Sequence, residues 1–314
     1  MERINARTTN SARGIVLVLC AGILWGTTGT AQSFSPAGLS PYWVGALRLS
    51  IAAAFFAAYA AMGPGRITAS LAGIDWRRAI LAGACMAGYN LAFFAGVKAT
   101  GVAIGTALAL GSGPIWAGLL QIPGGGAPSR GWWAGTLLAV GGGILLVLGR
   151  GGALQADPAG VALCLAAGFA YALYAILNKH MVHRAEPAIV TLAVFSVAAA
   201  IALPAAGVWA GPLDITGRGW AIVAFLGIAA TGVAYLLFSS GLRGITAASG
   251  VSLALMEPVT AFLLAIVVVG EHPGLAAYAG LAALLGGLAL VIRSEVAVDQ
   301  ADSRRLRRRS CSCR

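Results

Sequence analysis

The stretches "GTALALGSGPIWAGLL" (105–120) and "GVSLALMEPVTAFLL" (250–264) repeat one apolar pattern at a distance of about 145 residues. Both contain the tripeptide Leu-Ala-Leu followed a few positions later by a proline, and similar residues recur on either side at the same distance. The second copy carries Glu257 where the first has Ser112. The repeat predicts two similar halves, and the single carboxylate predicts that the halves differ in their chemistry.

The composition is typical of an integral membrane protein. Hydrophobic residues make up 59% of the 314 residues and charged residues 10%, and the mean hydropathy is +0.86. A soluble domain carries about 25% charged residues, whereas an apolar run of about 18 or more residues can cross the hydrocarbon core as a helix. The runs are continuous rather than alternating between apolar and polar positions, which excludes a β-barrel. The predicted fold class is therefore an all-α integral membrane protein.

Ten apolar runs, five in each half, predict ten transmembrane helices in two five-helix repeats. They lie at about 15–34, 41–62, 78–97, 101–123, 131–149, 160–180, 188–210, 219–242, 246–269 and 274–293. Because five is odd, the second repeat must enter the membrane from the opposite side, so the repeats are inverted. Inverted repeats are typical of secondary transporters, whose substrate site lies near the bilayer midplane between the halves. The predicted organisation is an N-terminal segment (1–14), a first repeat (15–149), a second repeat (150–293) and a basic tail (294–314).

The distribution of cations predicts the orientation in the membrane. With the N-terminus inside, 17 of the 21 lysines and arginines fall in the inner segments and three in the outer loops. The positive-inside rule then places both termini in the cytoplasm of a multi-pass protein of the inner (plasma) membrane. The net charge of +11 therefore reports topology rather than a nucleic-acid partner. We expect the basic tail to lie against anionic lipid headgroups, although it could equally be disordered and dispensable.

Three stretches carry a resemblance to a known family. They are "LCAGILWGTTGTAQ" (19–32), "LSPYWVGALRLSIAAAFF" (39–56) and "LMEPVTAFLLAIVVVGEHPGLAAYAGLAALLGGLALV" (255–291). Over about 14–292 the chain resembles the EamA type of the drug/metabolite transporter superfamily, whose members have ten spans in two five-span repeats. The resemblance implies a secondary transporter of small metabolites, with export of amino acids or related amphipathic compounds as its expected task. The first repeat departs from the family pattern because it lacks both the Glu before Pro114 and the Gly-Glu turn.

Two charged residues lie inside predicted spans, where an unpaired charge is costly and marks a functional site by default. Glu257 falls near the middle of its span, and Pro258 after it kinks the helix. Its carboxylate is predicted to bind a substrate amino group or a coupling proton, unless it only hydrogen-bonds neighbouring helices. Arg48 could hold a substrate carboxylate, pair with Glu257 or a helix end, or extend toward the interface.

Mid-span aromatic and polar residues complete the predicted substrate site, because buried Tyr, Trp and amide groups need hydrogen-bond partners. With Arg48 and Glu257 the predicted lining comprises Trp25, Thr28, Tyr89, Asn90, Trp116, Tyr171 and Tyr235. Packing alone is the alternative explanation for each of them. Lys98 and Arg243, which correspond in the two repeats, are predicted either to anchor the ends of their own spans or to act in gating.

Other functions find less support in the residues. No cofactor is predicted, and "HMVHRAE" (180–186) is not predicted to bind a metal. The absence of a Ser-His-Asp set or of paired carboxylates within the spans argues against an enzyme. Two classes of alternative stay open: a multidrug or quaternary-amine efflux carrier, in which the carboxylate and the aromatic rings would hold a cation, and a lipid scramblase or membrane enzyme. Proton coupling through Glu257 is a hypothesis.

Overall fold

The computed structural model describes residues 2–34, 39–63, 67–124, 126–148 and 157–311, and within these ranges all regular structure is helical. The ten long helices, numbered α1 to α10, are Glu2–Ser33, Pro41–Ala61, Trp76–Thr100, Val102–Gln121, Arg130–Leu148, Pro158–Val182, Pro187–Ala210, Gly217–Gly241, Ala247–Val269 and Leu275–Cys311. A short helix, Ile67–Ala72, precedes α3.

The ten predicted spans coincide with these ten helices, which confirms the predicted fold class. Nine of them, within the described ranges, are long and apolar enough to cross a membrane. The tenth, α4, has 20 residues and contains Pro114 within the helix. Helix α1 begins well before the predicted span, and α10 continues to Cys311, so much of the predicted tail is helical. The predicted boundary between the repeats, at 149 and 150, lies outside the described residues.

Capping residues explain where several helices begin. The side-chain oxygens of Ser40 and Asp157 each accept a hydrogen bond from the backbone N–H two residues later. Pro41 and Pro158 follow them at the first helical position, where the missing N–H costs nothing. Helices α2 and α6 therefore begin with the same Ser/Asp-Pro pattern, although they lie in different repeats.

Paired glycines bring α5 and α10 into backbone contact. A Cβ atom added to Gly135 would lie 2.8 Å from the carbonyl oxygen of Gly287, and one added to Gly280 would lie 2.7 Å from that of Gly142. Only glycine permits so close an approach of two membrane helices. The repeat distance of 145 residues relates Gly135 to Gly280 and Gly142 to Gly287. The two glycine contacts are therefore equivalent, and the crossing of α5 and α10 is symmetric between the two halves.

The other helix pairs follow the same exchange of halves. Two contacts of α6 in the second half correspond to two contacts of α1 in the first: α6 packs on α3 and α4, and α1 packs on α8 and α9. Helix α2 packs on its own counterpart, α7. Glycines mark corresponding contacts: a Cβ atom on Gly160 would lie 3.3 Å from the carbonyl oxygen of Gly96, and one on Gly14 would lie 2.7 Å from that of Gly241. The repeat in the sequence is therefore a repeat in the packing.

Two helices of the second half are interrupted near their centres. Helix α8 contains a π-helical turn, Ile228–Val233. Helix α9 breaks at Ala254 and Leu255 and resumes at Met256, the residue before Glu257. At the break the backbone N–H of Glu257 donates to the carbonyl of Ala254 at 2.9 Å, three residues back. Irregular backbone at membrane depth is tolerated where protein covers it or where it lines a cavity. The break in α9 is therefore expected to lie against protein or beside a cavity.

Candidate functional site

A cavity of about 430 Å³ lies between helices of both halves. It extends from Glu257, near the middle of α9, to residues near one end of the bundle: Gln32 of α1, Pro41 of α2 and Val97 of α3. Eight of the residues predicted to bind substrate line it, namely Trp25, Thr28, Arg48, Tyr89, Asn90, Tyr171, Tyr235 and Glu257. Helices that are distant in sequence thus bring most of the predicted set together.

Three residues of the predicted set lie elsewhere. Trp116 packs edge-on against Phe169, with ring centroids 5.5 Å apart, and does not line the cavity. Lys98 is exposed at the end of α3. Arg243 donates from Nε and Nη2 to two backbone carbonyls at and just beyond the end of α6, both at 2.8 Å. The side chain of Arg243 is therefore bonded to residues at and beyond the end of α6, and not to its own span.

Glycines of α1 hold that helix against the break in α9. A Cβ atom on Gly26 would lie 2.6 Å from the carbonyl oxygen of Glu257, and one on Gly22 would lie 3.4 Å from its backbone nitrogen. Neither position leaves room for a side chain. This close contact positions the backbone of Glu257, whose half-buried side chain lines the cavity.

Arg48 faces the same cavity from α2, beside the interrupted helix α8. A Cβ atom on Gly227, just before the π-helical turn, would lie 3.4 Å from the carbonyl oxygen of Arg48. Within the described residues no ion pair joins Arg48 to Glu257, and the ion pair present there is that of Arg78 with Asp75. The Nε atom of Arg48 is buried without a hydrogen-bond partner. Opposite charges thus line one cavity without neutralising each other directly.

Aromatic rings form the inner wall of the cavity. The ring centroid of Trp25 lies 4.9 Å from that of Tyr235 and 6.3 Å from that of Tyr171, and Tyr171 lies 5.4 Å from Tyr89. The indole N–H of Trp25 and the hydroxyl of Tyr171 are buried without a hydrogen-bond partner in the structure. Because such groups are costly to leave unpaired, they are positions at which a bound molecule or water can accept or donate a hydrogen bond.

Several residues that line the cavity were not predicted from the sequence. On α3, Phe93 and Val97 follow Tyr89 at intervals of four residues and line the cavity with it. On α4, Thr106 and Leu110 follow the same interval. Residues four apart share one face of a helix, so following the face of Tyr89 along α3 would have found Phe93 and Val97. On α4 no predicted residue lies on the face of Thr106 and Leu110. Asn90 donates its side-chain amide to the carbonyl of Met86 at 2.9 Å, within its own helix.

Residues 12–148 and 158–293 each match the model of the EamA-like transporter family. The chain belongs to this family. It is 36% identical over 280 residues to the "Uncharacterized transporter YwfM" of Bacillus subtilis (strain 168), covering 88% of this chain and 92% of that protein. It is also 32% identical over 148 residues to the "Uncharacterized protein PA1977" of Pseudomonas aeruginosa, covering 47% and 50% of the two chains.

A solved crystal structure supports the fold of this EamA-like protein. It superposes with a TM-score of 0.78 at 22% identity and covers 89% of this chain and 96% of its own. The family match confirms the predicted resemblance, and its two halves agree with the two predicted repeats. The protein is thus a multi-pass membrane transporter of small molecules, and the cavity described above lies between its two halves.

Proposed function

We propose that the protein is a secondary transporter that exports amino acids or related amphipathic compounds across the inner membrane by alternating access. The observation that carries the proposal is the presence of Arg48 and Glu257 on one cavity without an ion pair between them. A protein that used these residues only for stability would gain most by joining them, since opposite charges attract strongly in a low-dielectric interior.

A zwitterion complements this pair of charges. Its ammonium group would be held by the carboxylate of Glu257, and its carboxylate by the guanidinium of Arg48, whose planar donors suit bidentate binding. Each such hydrogen bond involves a charged group and contributes about 1.5–3 kcal/mol. The substrate would thus neutralise both residues at once.

The aromatic wall suits the remainder of an amphipathic molecule. Trp25, Tyr89, Tyr171 and Tyr235 present ring surface to it. Trp25 and Tyr171 also carry buried polar groups without a hydrogen-bond partner. The cavity volume of about 430 Å³ lies within the range of about 300–1,000 Å³ that is common for small-molecule sites. An apolar side chain would pack against the rings while its polar backbone groups met the charges.

Alternating access follows from the two similar halves. Exchange of conformation between inverted repeats turns an outward-open cavity into an inward-open one around the same central site. Coupling to protons is part of the proposal: a carboxylate that holds either a substrate ammonium or a proton would exchange one for the other. Glu257 is the residue to which we assign this exchange.

The test is transport by the purified protein in liposomes. Uptake of a panel of radiolabelled amino acids would be measured with and without a pH gradient, using empty liposomes as the control. We expect uptake that is saturable, that is inhibited by unlabelled amino acids of the same class, and that depends on the pH gradient. Absence of saturable flux for every amino acid would overturn the proposed substrate class.

Efflux of quaternary amines is the second candidate. The observation in its favour is the aromatic wall around a carboxylate, because aromatic rings attract cations. Arg48 argues against it, since a guanidinium repels a cation in the same cavity. Competition would separate the two: quaternary ammonium compounds should inhibit amino-acid uptake weakly if the first proposal is correct, and strongly if the second is correct.

A further inference from the structure

At the end of the bundle opposite the mouth of the cavity, a group of polar contacts joins several helices beside a separate recess of about 480 Å³. The group consists of Lys179 of α6, Glu295 of α10 and the connection between α8 and α9, residues 242–246; we call it the inner latch. With both termini in the cytoplasm, as the cations predict, the inner latch lies at the cytoplasmic end. The mouth of the cavity, near Gln32 and Pro41, then faces outward.

Lys179 ties α6 to the connection. Its ammonium group donates to the backbone carbonyls of Leu242 and Ile245, at 2.9 Å and 2.7 Å. Its Nζ atom also lies 3.1 Å from Nε2 of His183, one turn further along. One side chain therefore satisfies two backbone carbonyls of the connection.

Glu295 ties α10 to the other end of the same connection. Its carboxylate accepts hydrogen bonds from the backbone N–H of Thr246, at 2.7 Å, from the hydroxyl of Thr246, at 3.1 Å, and from the hydroxyl of Ser249. Because Thr246 is the N-cap of α9, the carboxylate holds the start of the helix that carries Glu257. Movement of the start of α9 relative to α10 requires these bonds to break.

Two further contacts close the same end. Arg243 bonds to the carbonyls of Val182 and Ala185, and the hydroxyl of Ser11 in α1 donates to the carbonyl of Gly244 at 3.1 Å. Helices α1, α6 and α10 are thus joined to the connection between α8 and α9. Breaking the contacts of this connection would allow several helices to move together.

A buried layer separates the inner latch from the cavity. Asn178 donates to the hydroxyls of Tyr174 and Ser239, at 3.1 Å and 2.8 Å, and all three residues are fully buried, as is Phe238 beside them. The cavity is lined by Tyr171 of α6, one turn before Tyr174. The route to the cytoplasm is therefore closed by this layer first and by the inner latch behind it.

We propose that Lys179 and Glu295 form the cytoplasmic gate of the transporter: their bonds to residues 242–246 hold the outward-open state, and the gate opens when they break. This inference rests on the proposed alternating access. It assigns to two residues of the second half a role that the central site does not explain, since neither of them lines the cavity.

The two ends of the bundle correspond through the repeat, and one substitution between them accounts for their difference. At distances of 145 or 146 residues, Gln32, Pro41 and Val97 at the mouth correspond to Asn178, Pro187 and Leu242 at the closed end. The counterpart of Lys179 is Ser33, whose hydroxyl donates to the carbonyl of Thr30 in its own helix. A serine bonded within its own helix cannot bridge the outer mouth as Lys179 bridges the inner end. The inward-open route would therefore pass between the ends of α6 and α8, where the latch now lies.

Two cysteine reporters at equivalent positions test the gate without any substrate. Thr106→Cys lines the cavity nearer its mouth, and Val251→Cys lines it near the closed end, 145 residues later. Both are placed in a chain whose five native cysteines are replaced by alanine. A membrane-impermeant maleimide is applied to right-side-out and to inside-out vesicles, and labelling rates are measured for parent and variants.

Lys179→Met is expected to raise cytoplasmic labelling of the Val251→Cys reporter by about tenfold or more and to lower external labelling of the Thr106→Cys reporter. The size follows because bonds to a charged group shift an equilibrium by at least about this factor. Arg184→Gln is the matched control: it removes a cation five residues further along, just beyond the end of α6, and the Arg184 side chain has no hydrogen bond or ion pair within the described structure. Its labelling should match the parent within about twofold.

The outcomes separate the gate from the transport proposal. Unchanged labelling in folded Lys179→Met protein, or a rise at both reporters together, overturns the gate even if amino acids are transported. Opposite changes at the two reporters support it even if the substrate panel fails. If Lys179→Met does not give a monodisperse peak in size exclusion, Glu295→Ala takes its place with the same expected changes.

Discussion

Ser112 of α4 and Glu257 of α9 occupy equivalent places in the two halves, and each is contacted by a glycine of the opposite half. Gly168 of α6 contacts Ser112, and Gly22 of α1 contacts the backbone of Glu257. The two glycines are 146 residues apart and the two contacted residues are 145 apart. The architecture at the centre is therefore symmetric, whereas the charge is not. The second half alone supplies the carboxylate of the site.

Replacement of this carboxylate should impair transport directly. Glu257→Gln is expected to lower the rate of amino-acid uptake by about tenfold or more, since a neutral amide cannot replace a charged partner of the substrate ammonium. It should also remove the dependence on a pH gradient, because the amide does not exchange a proton. Uptake in liposomes measures both effects.

The control for Glu257 is Glu186→Gln, which makes the same chemical change at an exposed residue before α7. This variant should transport at the parental rate. Full transport with unchanged pH dependence in Glu257→Gln would assign Glu257 to helix packing alone.

Arg48 should determine whether a carboxylate is required in the substrate. In Arg48→Met we expect KM to rise by about tenfold for a zwitterionic amino acid, through loss of a charged hydrogen bond. For the amide derivative of the same amino acid, which lacks the carboxylate, KM should change by less than about twofold. Arg77→Gln, an exposed cation at the start of α3, is the control. Equal losses for both compounds would show that Arg48 supports the structure and does not recognise the carboxylate.

Much of the fold could be predicted because its determinants are local or repeated. Continuous apolar runs define the helices, and glycines such as Gly135 and Gly280 recur at the repeat distance and meet in the crossing of α5 and α10. The break in α9 was signalled by Pro258. The π-helical turn at Ile228–Val233 was not, since its sequence contains no proline and a change of helical register depends on the neighbouring helices.

The site was predictable to the extent that polarity marks it. Arg48, Tyr89 and Glu257 were identified because polar groups in the middle of a membrane span are costly and so mark functional sites. Trp116 satisfied the same criterion but faces Phe169, and composition alone cannot give the rotation of a helix about its axis. The inner latch was missed because Lys179 and Glu295 meet through a connection that is distant in sequence from both.

The glycine contact between α5 and α10 should be measurable as stability. Gly142→Ala is expected to lower the unfolding temperature in detergent, because its methyl group would lie 2.7 Å from the carbonyl oxygen of Gly280; overpacking of this kind costs about 1–3 kcal/mol. Its neighbour Gly141 has no atom within 4 Å of an added Cβ. Gly141→Ala should therefore leave the unfolding temperature unchanged or slightly raised. Equal unfolding temperatures for the two variants would contradict the contact.

His183 should make the proposed gate sensitive to cytoplasmic pH. Burial, and then the positive charges of Lys179, Arg243 and His180, lower the pKa of His183 below its ordinary value, which is about 6.5. In its neutral form the ring accepts a hydrogen bond from Lys179, whose Nζ lies 3.1 Å from Nε2. Protonation removes this acceptor and adds a third cation beside Lys179 and Arg243.

The sign follows from proton binding in the two states. An open state, in which Lys179 and Arg243 have moved away, leaves His183 with a pKa nearer to about 6.5 and so binds more protons. A fall in pH through the window between the lowered pKa and about 6.5 should therefore favour the open state, whereas above about 6.5 the gate should not respond. We expect cytoplasmic labelling of the Val251→Cys reporter, relative to a fully exposed thiol, to rise as the pH falls. His183→Gln should abolish the rise, and His180→Gln should preserve it, because the side chain of His180 bonds to the carbonyl of Ile176 and not to Lys179. A rise that persists in His183→Gln would assign the pH response to another group, since glutamine cannot be protonated in this range.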